Sequence, residues 1–300
     1  MPGPLKMHLQ VGKNSNMEKI EQILVTGGSG KTGRAVVATL ADLGYKPRIA
    51  VRNPAGDMPA NTIAFDWMDA DTHAAAVSGI DAVYIVAPAL LVDPVPAVDS
   101  FIATAIAAGV KRFVSLSSSA IPQGGPVLGQ IHQILADKAE QWTVLQPSWF
   151  MQNFTEGHHG DSIRKESAIY SATGSAGIGF IDANDIGATA AHCLVADRAL
   201  GRGIVLTGPT SPNYDSVAGI LSNVAGRTIR HVLLSQQALA ERFEKVVGMP
   251  ADYANFLAGM DAMLAGGSED RVTTGVKDMT GKEPRSFEVF AERYADVWRS

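Results

Sequence analysis

The stretch ILVTGGSGKTGRAVVATLADLG, residues 23–44, constrains the fold more than any other. It runs from a β-branched strand through Gly27, Gly30 and Gly33 at three-residue spacing into an amphipathic run that stops at Gly44. Glycines let a chain turn sharply and let its backbone approach a pyrophosphate. The helix that follows aims its free N–H groups and positive dipole end at that anion. The turn therefore predicts a dinucleotide site inside a βαβ unit.

The rest of the first half agrees. Strands are expected at Ile23–Thr26, Lys46–Val51, Thr62–Phe65, Ala82–Val86, Arg112–Leu116 and Thr143–Leu145, alternating with helical patterns such as Val95, Val98, Ile102, Ala105 and Ile106. Strand–helix alternation specifies a parallel sheet. A Rossmann-type, doubly wound α/β domain is expected over 17–150, with 181–207 returning to it through a helix from Asp182 and a strand at Ile204–Leu206. Residues 151–180 lose the alternation and read as loops and short elements. From 208 to 300, stripes such as Val217, Ile220, Leu221 and Val224 predict helices, so 151–180 and 208–300 form a smaller, mainly helical substrate lobe. Residues 1–16 read as an extension or an expression remnant, because MEKIEQILVTGG from Met17 has the look of a natural start.

With 46% apolar residues in 300, a sizeable core is available; a net charge of −5 supplies no basic stripe for nucleic acid or anionic lipid. No apolar run approaches a membrane span. The single cysteine, Cys193, excludes an intramolecular disulfide and a cysteine-rich zinc site, which fits a reducing cytoplasm. The expected partner is a small molecule, and the chain is a monomer or homodimer.

Cofactor choice is read at the end of the second strand, where an acidic residue would hold the ribose hydroxyls of NAD. Here stands RIAVRNP, and Arg52 can pair with a 2′-phosphate, so NADP(H) is expected. The alternative for Arg52 is a solvated strand-end charge. Asp66, followed by Trp67, is placed at the adenine or, alternatively, in a turn. Ala87, Pro88, Ser117, Pro147 and Ser148 end later strands and border the nicotinamide half. Trp149, Phe150, Met151 and Phe154 offer an apolar substrate wall, or else staple the second lobe to the first. His158, His159 and Asp161 read as loop residues with no metal role.

The glycine spacing resembles that of extended and atypical short-chain dehydrogenases. Carbonyl reductases of that superfamily carry a Tyr-x-x-x-Lys pair on the helix after the fifth strand, whereas this chain reads GGPVLGQIHQILADKAE. Reducing a ketone needs a proton, but an iminium carbon collapses to an amine on hydride delivery alone. His132 stands near the missing tyrosine as a candidate proton donor or substrate contact, with a structural role as the alternative.

Taken together, GGSGKTG, Phe65-Asp66-Trp67, GGPVLGQIH, QPSWFMQNF, IYSATGSAGIGFIDANDIG and TGKEPRSFEVFA resemble the NmrA-like atypical short-chain dehydrogenases. Within these the chain is most similar to the festuclavine and agroclavine dehydrogenase type. The resemblance spans Met17 to Trp298. It implies NADPH-dependent reduction of a cyclic iminium in alkaloid-like secondary metabolism, with Gly27, Ser29, Lys31, Thr32 and Gly33 on the pyrophosphate. Gln133 and Ile134 depart from it, since an aromatic is common there. A carbonyl or quinone reductase and an NADP(H)-sensing regulator are the competing readings.

Overall fold

The computed structural model describes residues 20–54, 58–88 and 93–299, so the expected extension at 1–16 lies outside the described residues. The first half builds β1 (Ile23–Val25), α1 (Lys31–Asp42), β2 (Arg48–Val51), β3 (Thr62–Ala64), α2 (Asp71–Val77), β4 (Ala82–Ile85), α3 (Val95–Ala107), β5 (Arg112–Leu116), α4 (Leu128–Lys138) and β6 (Gln141–Pro147). Then come α5 (Gly157–Glu166), β7 (Ala168–Ser171), α6 (Ala183–Val195) and β8 (Arg202–Leu206). Seven strands form one parallel sheet in the order β3-β2-β1-β4-β5-β6-β8, with the topological switch between β1 and β4.

The central strands β1, β4 and β5 are buried on both faces, which is why they read as largely apolar runs instead of alternating, whereas the edge strands β3 and β8 are partly exposed. Val25, Tyr84, Val114 and Leu145 pack toward α1 and α6; their neighbours Leu24, Val83, Phe113 and Val144 pack toward α2, α3 and α4. Gly187 lets α6 lie directly on α1, since a Cβ there would strike Ala35. Asp182 caps α6 by accepting from the Asn184 amide at 2.8 Å.

Beyond β8 follow α7 (Tyr214–Ala225), β9 (Arg230–Leu233), α8 (Gln236–Arg242), α9 (Ala251–Leu264), α10 (Gly275–Thr280) and α11 (Phe287–Arg293). Residues 151–180 hold short elements: a 3-10 turn at Met151–Phe154, then α5 and β7. Two expectations are corrected here. A strand unmarked by any alternation, β9, pairs with β7 in a separate two-stranded parallel sheet. Finally, α10 does not join the second lobe, because Val276 packs in the α1–α6 core and Thr273 Oγ1 donates to the Val205 carbonyl at 2.8 Å.

The second lobe is organised on Phe154, which is wholly buried among Phe180, Tyr214 and Phe287, with ring centroids 5.1–5.7 Å away. Trp298 closes that core and donates its indole N–H to the Phe154 carbonyl at 2.8 Å. A buried polar knot joins the lobes. Gln152 donates to Asp182 at 2.8 Å, and Arg285 reaches Asp182 at 3.2 Å and Asp185 at 3.0 Å. Burial pushes the Asp185 carboxyl up, against the hydrogen bonds and charge of Arg285.

Candidate active site

The carboxyl ends of the parallel strands converge on one edge, where ligands bind at a topological switch point. Thr26 secures the switch: its hydroxyl donates to the Tyr84 carbonyl at 2.9 Å and accepts from the Val86 amide at 2.9 Å. From there the glycine turn is fixed by close approach. Gly27 takes a φ of +61°, in the left-handed region that favours glycine. A Cβ on Gly28 would strike Ile49, and one on Gly33 would strike the Gly27 carbonyl. Gly28, absent from the sequence-derived set, is thus constrained as well, by the Ile49 side chain where Gly33 is constrained by backbone.

The start of α1 is built for an anion. Gly30 offers no side-chain cap, its own amide bonds Gly27, and Arg34 N–H is the first amide to reach a helical acceptor, the Gly30 carbonyl. The amides of Lys31, Thr32 and Gly33 find no backbone acceptor among the described residues. A concave glycine turn with free amides and a positive helix end suits a pyrophosphate. Ser29 and Gly30 are exposed beside it. Lys31 pairs with Glu156, just ahead of α5, at 3.3 Å.

Arg52 is exposed just past β2, and its side chain has no hydrogen-bond or ion-pair partner among the described residues. Asp66 is a turn residue, accepting the Met68 amide at 2.9 Å through one carboxylate oxygen. Trp67 packs edge-on to Phe65 and Phe101, so it is half core. Ala87 and Pro88 are half-buried beyond β4. Pro147 is buried at the end of β6, and Ser117 and Ser148 sit at the ends of β5 and β6 with buried hydroxyls that have no hydrogen-bond partner among the described residues. These positions all lie at or just past the carboxyl ends of the sheet strands.

The aromatic wall divides. Trp149 and Phe150 are half-buried near the edge, whereas Met151 and Phe154 are interior residues of the second lobe and face no ligand. The 3-10 turn at Met151–Phe154 puts both in the aromatic core of the second lobe, away from the place expected of a substrate wall.

His132 is also displaced from its expected place. It sits on α4 against the flank of the sheet, its ring 5.3 Å from that of Trp142 and its Cε1 where a Gly203 side chain would stand. Only 3% of it is exposed, neither ring nitrogen has a partner among the described residues, and burial lowers its pKa. Trp142 lies near the start of β6, at the end of the strand away from the binding edge.

His158 and His159 stand in the first turn of α5 with rings 4.1 Å apart, beside a cavity also lined by Tyr170, Arg242 and Phe243. Burial pushes His158 down to about 4 and holds His159 well below its ordinary value. Asp161 pairs with Arg164, and the described residues hold no group of three or more metal-ligating side chains. A Ser–His–Asp arrangement does occur in this lobe. Asp215 lies 2.9 Å from His231 Nδ1, and His231 Nε2 lies 2.8 Å from Ser171 Oγ. Ser171 is wholly buried, so no substrate reaches it, and the chain of bonds ties β7 to β9.

One polar cluster at the edge gave no sequence signal. Glu269, 2% exposed and drawn in from the segment after α9, accepts the Ser119 hydroxyl at 2.7 Å and pairs with Arg271 at 3.0 Å. Ser119 is fixed beside β6 by its amide, which donates to the Pro147 carbonyl at 3.0 Å.

Comparison with known proteins accords with this geometry. An NAD(P)H-binding family model matches residues 27–196. The agroclavine dehydrogenase of Claviceps fusiformis is 40% identical over 286 residues, covering 92% of this chain and 98% of that protein. The chain belongs to the NAD(P)H-binding family of the clavine dehydrogenases. This clavine dehydrogenase relative is also 41% identical to the uncharacterized oxidoreductase YesF of Bacillus subtilis, over 95% of this chain and 99% of that one. Its fold matches an Escherichia coli NADPH-dependent quinone oxidoreductase solved with NADPH, with a TM-score of 0.77 at 21% identity, covering 90% and 99% of the two chains. It is an NAD(P)H-dependent reductase of Rossmann type.

A bound reduced nicotinamide supplies a hydride. When a dinucleotide is bound, the free amides of residues 31–33 are the groups that would hold its pyrophosphate. The described residues contain no helix long and apolar enough to cross a membrane.

Proposed function

We propose that this chain uses NADPH to reduce the C=N bond of a cyclic imine or iminium, in an alkaloid-like or related secondary metabolite. The observation that carries the reading is the burial of His132 against Trp142 and Gly203 on a helix that already lacks the Tyr-x-x-x-Lys pair. That leaves α4 without a proton donor at the edge, a loss a ketone reductase would feel and an iminium reductase would not. Catalysis then rests on positioning and electrostatics. Trp149 and Phe150 supply half-buried aromatic surface for a planar ring, and Arg52, exposed and with no partner among the described residues, suits the 2′-phosphate of NADPH. Kinship with an agroclavine dehydrogenase supports the same substrate class.

The test is NADPH oxidation against matched cyclic imines, ketones and quinones. Faster imine turnover is expected. Ketones or quinones turned over faster than every imine would overturn the reading, and tight NADPH binding without any turnover would instead favour a dinucleotide sensor.

A further inference from the structure

We infer that Ser119 is a hydrogen-bond acceptor for the substrate's N–H, held in that polarity by Glu269. The inference rests on the C=N reading above and adds what selects among C=N substrates. A hydroxyl has one proton and two lone pairs. The Ser119 proton is committed to Glu269 Oε2 at 2.7 Å, so what the half-buried oxygen can offer a ligand is lone pairs. The carboxylate cannot return the favour, because an ionised carboxylate only accepts. Arg271 donates to its other oxygen at 3.0 Å and to the Ser119 carbonyl at 3.2 Å, fixing both partners.

The pair stands at the carboxyl ends of β5 and β6, where the Ser117 amide donates to the Leu145 carbonyl at 2.7 Å and the Ser119 amide to the Pro147 carbonyl at 3.0 Å. A protonated cyclic imine, bearing N–H⁺, satisfies that oxygen; a carbonyl oxygen meets it lone pair to lone pair. The chemistry balances without a proton donor. A hydride from the reduced dinucleotide forms the new C–H bond, the C=N π pair becomes the amine lone pair, the N–H proton stays on nitrogen, and the dinucleotide leaves oxidised. Ser119 is the contact residue and Glu269 a positioning residue.

Glu269→Gln tests this sharply. Arg271 must still donate to an oxygen, so the amide NH₂ turns toward Ser119, which then accepts from it and points its own proton outward. A hydrogen bond to a charged partner is worth a tenfold effect or more, so kcat/KM for a protonated imine should fall by about tenfold or more. Turnover of a matched ketone or quinone should hold or rise, and turnover of the N-methyl iminium of the same ring should stay within about threefold. Ser119→Ala should lower the protonated imine without raising the carbonyl. An unchanged imine-to-carbonyl ratio in Glu269→Gln, or equal losses on all three substrates, would overturn the assignment.

Binding separates this inference from the reading it rests on. Calorimetry on the NADP⁺-loaded protein compares piperidinium with its cyclic ether isostere, tetrahydropyran, neither of which reacts. Wild type should prefer the ammonium, and both Ser119→Ala and Glu269→Gln should lose that preference. If wild type shows no preference, the polarity assignment fails even where imines turn over; if the preference appears without imine turnover, the substrate reading fails and the polarity stands.

Discussion

The Cβ that Gly33 lacks would stand on the carbonyl oxygen of Gly27, and this single contact sets how closely α1 meets the glycine turn. The nearest other atoms, Gly27 C at 2.8 Å and Gly28 Cα at 2.9 Å, are backbone and have nowhere to go. Gly33→Ala should therefore cost about 1–3 kcal/mol of stability and lower NADPH affinity steeply, because the turn must open. Chemical denaturation and NADPH titration check this, and an unshifted midpoint with wild-type affinity would contradict it.

Arg52 is exposed and has no hydrogen-bond or ion-pair partner among the described residues, which suits its guanidinium to a phosphate. Arg52→Ala should raise the Kd for NADPH by about 10–100-fold, the worth of charge-assisted hydrogen bonds, and leave NADH within about threefold. Equal losses on both dinucleotides would show that Arg52 acts on the fold and not on the 2′-phosphate.

His132→Leu separates an acid from a packing residue. A general acid contributes about 10²–10⁴-fold, so its removal is plain in kcat. The buried ring, with neither nitrogen bonded, predicts kcat within about threefold of wild type and stability held or raised by up to about 1 kcal/mol. Loss of turnover at unchanged stability would restore His132 as a proton donor.

Stability near neutral pH should respond to Asp261. Burial pushes its carboxyl up from 3.8 to about 6, although it accepts the Ala172 amide at 3.1 Å. Between those values the folded chain keeps a proton that the unfolded chain has released, so this group destabilises as pH rises, with the full penalty above about 6. His158 and His159 act oppositely. Both stay neutral when folded and take up protons when unfolded, so their contribution is lost as pH falls below the ordinary histidine value. Asp261→Asn keeps an oxygen for Ala172 and removes the first effect. The variant should gain about 1–3 kcal/mol at pH 7, and its stability should climb through the weakly acidic range. Denaturant midpoints at several pH values test this; a variant weaker than wild type at pH 7 would refute it.

The α/β class, the strand succession and the dinucleotide turn were legible along the chain, because each depends on neighbours: β-branched runs, helical spacing and glycines within one turn. Gly28 was legible only in part, for the atom that excludes a side chain there is on Ile49, in another strand. The strand β9 was hidden because its pairing partner β7 lies some sixty residues earlier and neither strand alternates.

Met151, Phe154 and His132 show where the local signal ended. Apolar residues after a sheet strand can line a cleft or fill a core, and only the 3-10 turn decides that Met151 and Phe154 go inward. His132 was in the right helix, but whether its ring reaches the edge or lies on Trp142 depends on how α4 packs against β6 and β8. The Ser119–Glu269 pair joins residues 150 positions apart and left no trace in spacing or composition. The sequence by itself determined the cofactor cradle, since local backbone geometry makes it. The surroundings of the reacting atoms were decided by tertiary structure, since distant segments must meet before a hydroxyl's single proton has a direction.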